Sequence, residues 1–249
     1  MALRDTIQSW ELLGKTDPLW AVLSKKEFKG GKWDVDEFFR TGREEVKGIM
    51  EYVGRFNVPF ARERALDFGC GVGRLTQALA SYFREVYGVD CAASMIQGAE
   101  RYNRHGQRCR YRLNTVDDLS IFPDNHFDFI YSAITLQHIE PYYAKRYIAE
   151  LIRVLAGHGL LVFQLPTSQE QRVAVRNSIA KRLLKRMVPS WVLAWYRTLR
   201  YGQAGFIETY GVPKAEVMQL LESRGVHILD VLETGRKRGR IGLRYCATK

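Results

Sequence analysis

The chain has 249 residues, 46% hydrophobic and 26% charged, with a formal net charge of +11. That length suits one large α/β domain with insertions and leaves two full domains cramped. The composition is ordinary for a soluble globular protein, and Cys70, Cys91, Cys109 and Cys246 form no C-x-x-C pair, which argues against a zinc site and fits a reducing compartment.

The N-terminal residues MALRDTIQSW lack the continuous apolar core of a signal peptide. The most apolar later stretch, Met187 to Tyr196, is too short to span a bilayer and contains a proline. A cytoplasmic location is expected. The positive charge is concentrated: Arg172, Arg176, Lys181, Arg182, Lys185, Arg186, Arg197 and Arg200 stand together without an acid, and Arg236, Lys237, Arg238 and Arg240 form a second group. The rest of the chain is nearly neutral.

Residues 1–60 read as a helical preamble. Asp17-Pro18 opens a short apolar helix, Leu19 to Leu23, which Lys29-Gly30-Gly31-Lys32 breaks. A longer helical pattern starts at Asp34 and carries Phe38, Phe39, Val46, Ile49 and Tyr52 on its apolar side, until Asn57 to Pro59 end it.

The organising stretch follows, ALDFGCGVGR from Ala65 to Arg74. Ala65, Leu66 and Phe68 predict a buried strand, Gly69, Gly71 and Gly73 a turn, and Leu75, Leu79 and Phe83 one face of a helix. Strand, glycine turn and helix make the layout of a nucleotide-cofactor site, where backbone approaches a ligand closely and a helix start offers free N–H groups. Arg84 to Val89 predicts a second strand ending at Asp90, placed to accept hydrogen bonds from both ribose hydroxyls. A dinucleotide fingerprint would need its third glycine where Arg74 stands.

What the sequence has instead is Asp67 two residues ahead of glycines at every second position. This resembles motif I of the class I S-adenosylmethionine-dependent methyltransferases. The resemblance implies a doubly wound, mostly parallel seven-stranded α/β sheet with S-adenosyl-L-methionine as cofactor. It implies a glycine loop meeting the amino-acid part of that cofactor, with Asp67, Gly69, Cys70, Gly71, Gly73 and Asp90 among the binding residues. The stretches DPLWAVLS and GGKWDVDEFFRTG look like the N-terminal cap of bacterial small-molecule methyltransferases. Trp33, Phe38 and Phe39 then belong either to a lid over the site or to apolar staples of the helix.

Ser94 to His105 predicts a helix capped by Ser94, and Arg110 to Leu113 a third strand. The loop NTVDDL stands where the family has its adenine-binding loop, with Thr115 at a position often held by aspartate. Asp117 or Asp118 would supply the missing side-chain contact, and the Val116 N–H would meet a ring nitrogen; a solvated acidic turn is the alternative. Phe122 to Ser132, FPDNHFDFIYS, predicts a turn and a central fourth strand and resembles the same family. In the continuation SAITLQHIEPYY, the resemblance puts Ser132, Gln137 and His138 near cofactor and acceptor. His138 is the candidate general base, or a structural residue beside the helix that Pro141 starts.

Tyr142 to Leu155 predicts a helix, Gly157 and Gly159 a turn, and Leu160 to Leu165 a fifth strand. Pro213 to Arg224 predicts the last helix, and Val226 to Glu233 with Ile241 to Ala247 an antiparallel hairpin. The chain divides as a cap (1–60), a cofactor-binding core (61–166), a basic helical insertion (167–211) and a C-terminal helix with strands (212–249).

Within the insertion Ile179, Ala180, Leu183, Leu184, Met187 and Val188 would share one helix face and Lys181, Arg182, Lys185 and Arg186 the other. That pattern suits a lid over an acceptor, contact with an anionic membrane surface, or a solvated basic face. No Asn/Asp-Pro-Pro-Tyr sequence or Pro-Cys context marks a nucleic-acid base as target, which favours O- or N-methylation of a small-molecule acceptor. The alternatives are a nucleic-acid methyltransferase using the basic insertion, a membrane-associated lipid or quinone methyltransferase, and a binding protein that has lost catalysis. No metal is expected.

Overall fold

The computed structural model describes residues 3–168, 208–237 and 240–249. The expected basic helical hairpin, with its lid, membrane and nucleic-acid readings, lies outside the described residues. So does Arg238 of the second basic group.

The centre is a sheet in which strand patterning and burial agree. The strands are β1 (Arg64–Phe68), β2 (Glu85–Asp90), β3 (Cys109–Leu113), β4 (Phe127–Ser132), β5 (Leu155–Ser168), β6 (His227–Lys237) and β7 (Arg240–Thr248). They form one seven-stranded sheet in the order β3-β2-β1-β4-β5-β7-β6. Pairings among β1 to β5 are parallel, while β7 runs antiparallel to both β5 and β6. The central strands are buried on both faces, so their side chains alternate between two cores rather than between core and water.

On one face Leu66, Phe68, Ile130 and Phe163 pack with Ala144, Tyr147, Ile148 and Leu151 of α6 (Pro141–Val154) and Val217 and Leu221 of α7 (Lys214–Glu222). On the other face Ala65, Val86, Phe129, Tyr131 and Val162 meet α3 (Val35–Gly54), α4 (Arg74–Leu79) and α5 (Ala93–Tyr102). α3 is the amphipathic helix expected from Asp34: the Asp34 carboxylate accepts the Glu37 N–H at 2.8 Å, and Phe38, Val46 and Ile49 are buried.

The preamble also holds α1 (Leu3–Thr16) and α2 (Pro18–Val22). Leu19, Trp33, Phe38 and Phe39 form a third core with Val72, Ala92 and Met95, so the cap is stapled onto the glycine loop. Asp17, expected to open α2, also organises the diglycine turn. Its carboxylate accepts the N–H groups of Gly30 and Gly31 at 2.7 and 3.0 Å.

Local readings needed correction in two places. Ser94 does not cap α5; Ala92 holds that position, and the Ser94 N–H donates instead to the Glu11 carboxylate of α1 at 2.9 Å, a long-range cap invisible to local pattern. The turn expected ahead of Leu160 falls inside β5, at His158, which takes a φ of 62°, rather than at the glycines on either side. There the pairing of β4 with β5 shifts register between Phe127 and Phe129, a bulge that absorbs the turn within the strand.

Candidate active site

The strand order places β1 beside both β2 and β4, so the chain reverses its direction of winding between β1 and β4. In open α/β sheets the crevice beyond the carboxyl ends of the strands at such a reversal is where ligands bind. The sequence-derived residues converge there from β1, β2, β3 and β4.

The loop after β1 is built by its glycines. Gly69, Gly71 and Gly73 have φ values of 80°, 53° and 83°, conformations that side chains rarely adopt. A Cβ added at Gly69 would lie 2.2 Å from Thr135, at Gly71 2.4 Å from Val22, and at Gly73 2.5 Å from the Tyr111 hydroxyl. The loop is clamped to its neighbour because the N–H groups of Gly69 and Cys70 both donate to the Val89 carbonyl, at 2.8 and 2.9 Å.

Asp90, at the end of β2, is half-buried beside this loop. One carboxylate oxygen accepts the Gly71 N–H at 2.9 Å and the other the Ala92 N–H at 3.0 Å. The Cys91 N–H and thiol also donate to this carboxylate. Burial pushes its carboxyl above the ordinary range, opposed by those backbone donors.

Asp67 is buried beneath the loop rather than facing the crevice. It accepts the Thr76 hydroxyl at 2.7 Å, linking β1 to α4, and burial pushes its carboxyl up to about 7. Cys70 is also buried, with burial first and the Asp90 and Asp67 charges second in raising its thiol well above the ordinary value. It contributes backbone, not a nucleophile.

Beyond β3, Asn114 is buried and its side-chain amide donates to the carbonyls of Val116 and Asp118 at 3.2 and 2.8 Å, which curls the loop. Tyr147 donates its hydroxyl to the same Val116 carbonyl. Thr115 and Val116 are exposed at the rim, while Asp117 is paired with Arg146 at 3.2 Å. Asp118 accepts the Ser120 N–H at 3.0 Å.

Beyond β4, Ser132 is fully buried and donates to the Phe68 carbonyl at 3.0 Å, stitching β4 to β1. Ile134 has a φ of 64°, an expensive conformation for a β-branched residue, and is 41% exposed at the crevice. Gln137 and His138 lie in a short 3₁₀ turn, Leu136–His138. The His138 Nδ1 lies 3.0 Å from the Glu208 carbonyl, so Nδ1 carries the proton; Nε2 then accepts the Gln137 amide at 3.1 Å. Trp10 of α1 presents an edge contact to the ring, and burial lowers the His138 pKa. The imidazole is neutral, with both nitrogens occupied.

Some residues of the site were not singled out by sequence. Thr135 packs on Gly69 and Val22 on Gly71. Arg74, noticed only because glycine is missing there, is 4% exposed and pairs with Glu45 at 2.7 Å. Among the described residues no cluster of His, Cys, Asp and Glu could hold a metal ion, and no helix is long and apolar enough to cross a membrane. A groove of about 350 Å³ along Glu100, Asn103 and Arg110 to Arg112 lies at the β3 edge and shares Tyr111 with the surroundings of the glycine loop.

Comparison with known proteins places this geometry. Residues 66–163 match the family model described as a methyltransferase domain. The chain is 26% identical over 144 residues to a malonyl-[acyl-carrier protein] O-methyltransferase of Bacillus cytotoxicus, covering 57% of this chain and 49% of that protein. It is 32% identical over 91 residues to a ubiquinone biosynthesis O-methyltransferase of Xylella fastidiosa, covering 36% of this chain and 37% of the relative. The chain thus spans about half the length of these curated relatives or less. Among solved structures, the magnesium protoporphyrin IX methyltransferase of Synechocystis with bound SAH superposes with a TM-score of 0.57 at 17% identity, covering 93% of each chain. At that identity the likeness speaks for the fold.

Proposed function

We propose that this chain, whose residues 66–163 match a methyltransferase-domain model, is a class I S-adenosylmethionine-dependent methyltransferase that binds S-adenosyl-L-methionine in the crevice between β1 and β4 and methylates an oxygen of a small-molecule acceptor. The observation that carries this is the pairing of three positive-φ glycines with the Asp90 carboxylate, 2.9 Å from the Gly71 N–H. The residues fit the cofactor. A Cβ at Gly69, Gly71 or Gly73 would strike Thr135, Val22 or Tyr111, so the loop must stay bare backbone, and the Asp90 carboxylate at its side is the acceptor a ribose hydroxyl would use.

In this reading the exposed Thr115–Val116 rim, beside Asp117, receives the adenine. Asp67, Cys70 and Ser132 act by shaping the loop from below, since each is buried. Gln137 and His138 stand toward the acceptor. Val22 and Trp10 bring α2 and α1 to the same crevice, so α2 must shift from Gly71 for a ligand to approach that backbone.

Bound there, the cofactor would supply an electrophilic methyl group on a sulfonium, with a neutral thioether as leaving group. The protein's task is then mainly to hold donor and acceptor at near-attack distance, which can be worth ~7–11 kcal/mol. An acceptor carboxylate needs no base. For a hydroxyl, His138 offers Nε2 only after Gln137 moves, so we assign His138 to positioning rather than to obligatory proton removal. The two relatives named above are both O-methyltransferases, which supports oxygen as the receiving atom.

The test is calorimetric titration with S-adenosylhomocysteine, followed by a screen of carboxylate and phenol acceptors with labelled S-adenosylmethionine. Binding with transfer to at least one acceptor class is expected. Binding without transfer to any acceptor would leave a cofactor-binding protein without this activity.

A further inference from the structure

We propose that Glu45 is a positioning residue for the cofactor crevice, holding the glycine loop and the end of β4 in register from outside the sheet. The inference rests on the methyl-transfer reading above and adds to it a residue on α3, remote in sequence from the glycine loop and from the end of β4.

Two bonds of one carboxylate carry the argument. One Glu45 oxygen takes Arg74 Nη2 at 2.7 Å, and the other accepts the Tyr131 hydroxyl at 2.9 Å. Arg74 is the first residue of α4 and follows Gly73, the last glycine of the loop. Tyr131 is fully buried on β4 and precedes Ser132, where that strand ends. β1 and β4 are the strands on either side of the reversal in winding. Glu45 therefore ties together the two walls of the crevice.

Among the described residues Glu45 is the one carboxylate in salt-bridge contact with Arg74, with the buried Asp67 acting on it only through its charge. Its Nη1 lies 3.4 Å from the Thr41 hydroxyl, and its Nε has no hydrogen-bond partner among the described residues. A Cβ on Gly42 would come within 2.4 Å of the Arg74 carbonyl, so α3 lies directly against the loop's exit. Removing the Glu45 charge strands a buried guanidinium, a larger disturbance than never having had the pair. Arg74 would have to move toward water. Gly73 would move with it, because Tyr111 already fills the space on its other side.

The contrast is one residue away. Glu44 pairs with Arg40 on the same helix, but those side chains are 61% and 53% exposed. Such a pair contributes little and touches neither wall.

A role confined to fold stability would affect every ligand alike, whereas a role in loop position should fall on the part of the ligand that meets the loop. Titration with S-adenosylhomocysteine and with 5′-methylthioadenosine, which lacks the amino-acid portion, separates the two. Glu45→Gln is expected to weaken S-adenosylhomocysteine about tenfold or more and methylthioadenosine less than about threefold. Glu44→Gln should change neither. The double variant Glu45→Gln with Arg74→Gln, which removes the stranded charge, should recover part of the lost affinity. Unchanged S-adenosylhomocysteine affinity in Glu45→Gln, or equal losses for both ligands, would overturn the proposal. If wild-type protein bound neither ligand, the methyl-transfer reading would fail first. Should Glu45→Gln not fold, Glu45→Asp, which keeps the charge but shortens its reach, is judged by the same two affinities.

Discussion

Val22 of α2 stands directly on Gly71, so that a Cβ at position 71 would fall 2.4 Å from Val22 Cγ2. The cap and the cofactor loop are thus in contact at the point where backbone must approach a ligand. Gly71→Ala meets two costs, a φ of 53° that disfavours any side chain and the clash with Val22. Thermal or urea unfolding should show a loss of roughly 1–3 kcal/mol. Val22→Ala added to Gly71→Ala should return only the steric part, giving a coupling of about 1 kcal/mol in a double-mutant cycle. Strict additivity would mean that α2 does not rest on the loop.

Glu11 caps α5 across 83 positions of sequence, accepting the Ser94 N–H at 2.9 Å while the Ser94 hydroxyl donates to its carbonyl at 3.0 Å. Gly14 makes the approach possible, since a Cβ there would meet the Ser94 hydroxyl oxygen at 2.2 Å. Glu11→Ala should therefore cost about 1 kcal/mol, the usual size of a lost N-cap. The Ser94 backbone bond, followed by Lys15, lowers the Glu11 pKa against the opposing effect of burial. A lowered carboxyl stabilises the fold above its unfolded pKa and loses that contribution as pH falls through the folded value. The difference between wild type and Glu11→Ala should accordingly shrink in acid; a difference constant down to strongly acidic pH would deny the cap.

Asp67 gives the opposite sign. Burial raises its carboxyl to about 7, so between the ordinary carboxyl range and neutrality the folded state holds a proton that the unfolded state has released. Its contribution favours the fold most at low pH and declines as pH rises toward 7, then levels off. Asp67→Asn can still accept the Thr76 hydroxyl through its amide oxygen but cannot titrate. Melting temperatures compared from pH 5 to 8 should show the variant gaining on wild type as pH rises. A constant offset would mean that the buried Asp67 carboxyl does not titrate in that range.

The sheet was legible because buried parallel strands are dense apolar runs, and Phe127 to Tyr131 and Leu160 to Leu165 had no competing helical period. The glycine loop was legible for a related reason, since only glycine meets its backbone angles. What sequence hid was long-range pairing. Nothing near Ser94 announces Glu11, and nothing near Arg74 announces Glu45. Asp67 is also instructive: its place in the motif implied a ligand contact, yet its side chain lies beneath the loop, bonded to Thr76. The turn ahead of Leu160 was assigned to glycines because they tolerate positive φ, whereas the structure places that conformation on His158, inside β5.

His138 tests how much the reaction depends on a base. With Nδ1 donating to the Glu208 carbonyl and Nε2 accepting from Gln137, the ring is wired as a neutral strut between the post-β4 turn and residues 208–210. The Tyr210 N–H donates to the Gln137 carbonyl at 2.6 Å in the same junction. His138→Ala should slow methyl transfer less than about tenfold, with cofactor affinity nearly unchanged. A loss of roughly 10²–10⁴-fold in kcat would instead make His138 the general base.

The central claim is that the Gly69–Gly73 loop and Asp90 bind S-adenosylmethionine, and calorimetric titration of S-adenosylhomocysteine into wild type and Asp90→Ala tests it most directly. Charged hydrogen bonds are worth about 1.5–3 kcal/mol, so the variant should bind on the order of ten- to a hundred-fold more weakly than a wild type that binds well. Equal affinities for the two proteins would contradict the assignment of Asp90, and a wild type that bound NADH but not S-adenosylhomocysteine would contradict the account as a whole.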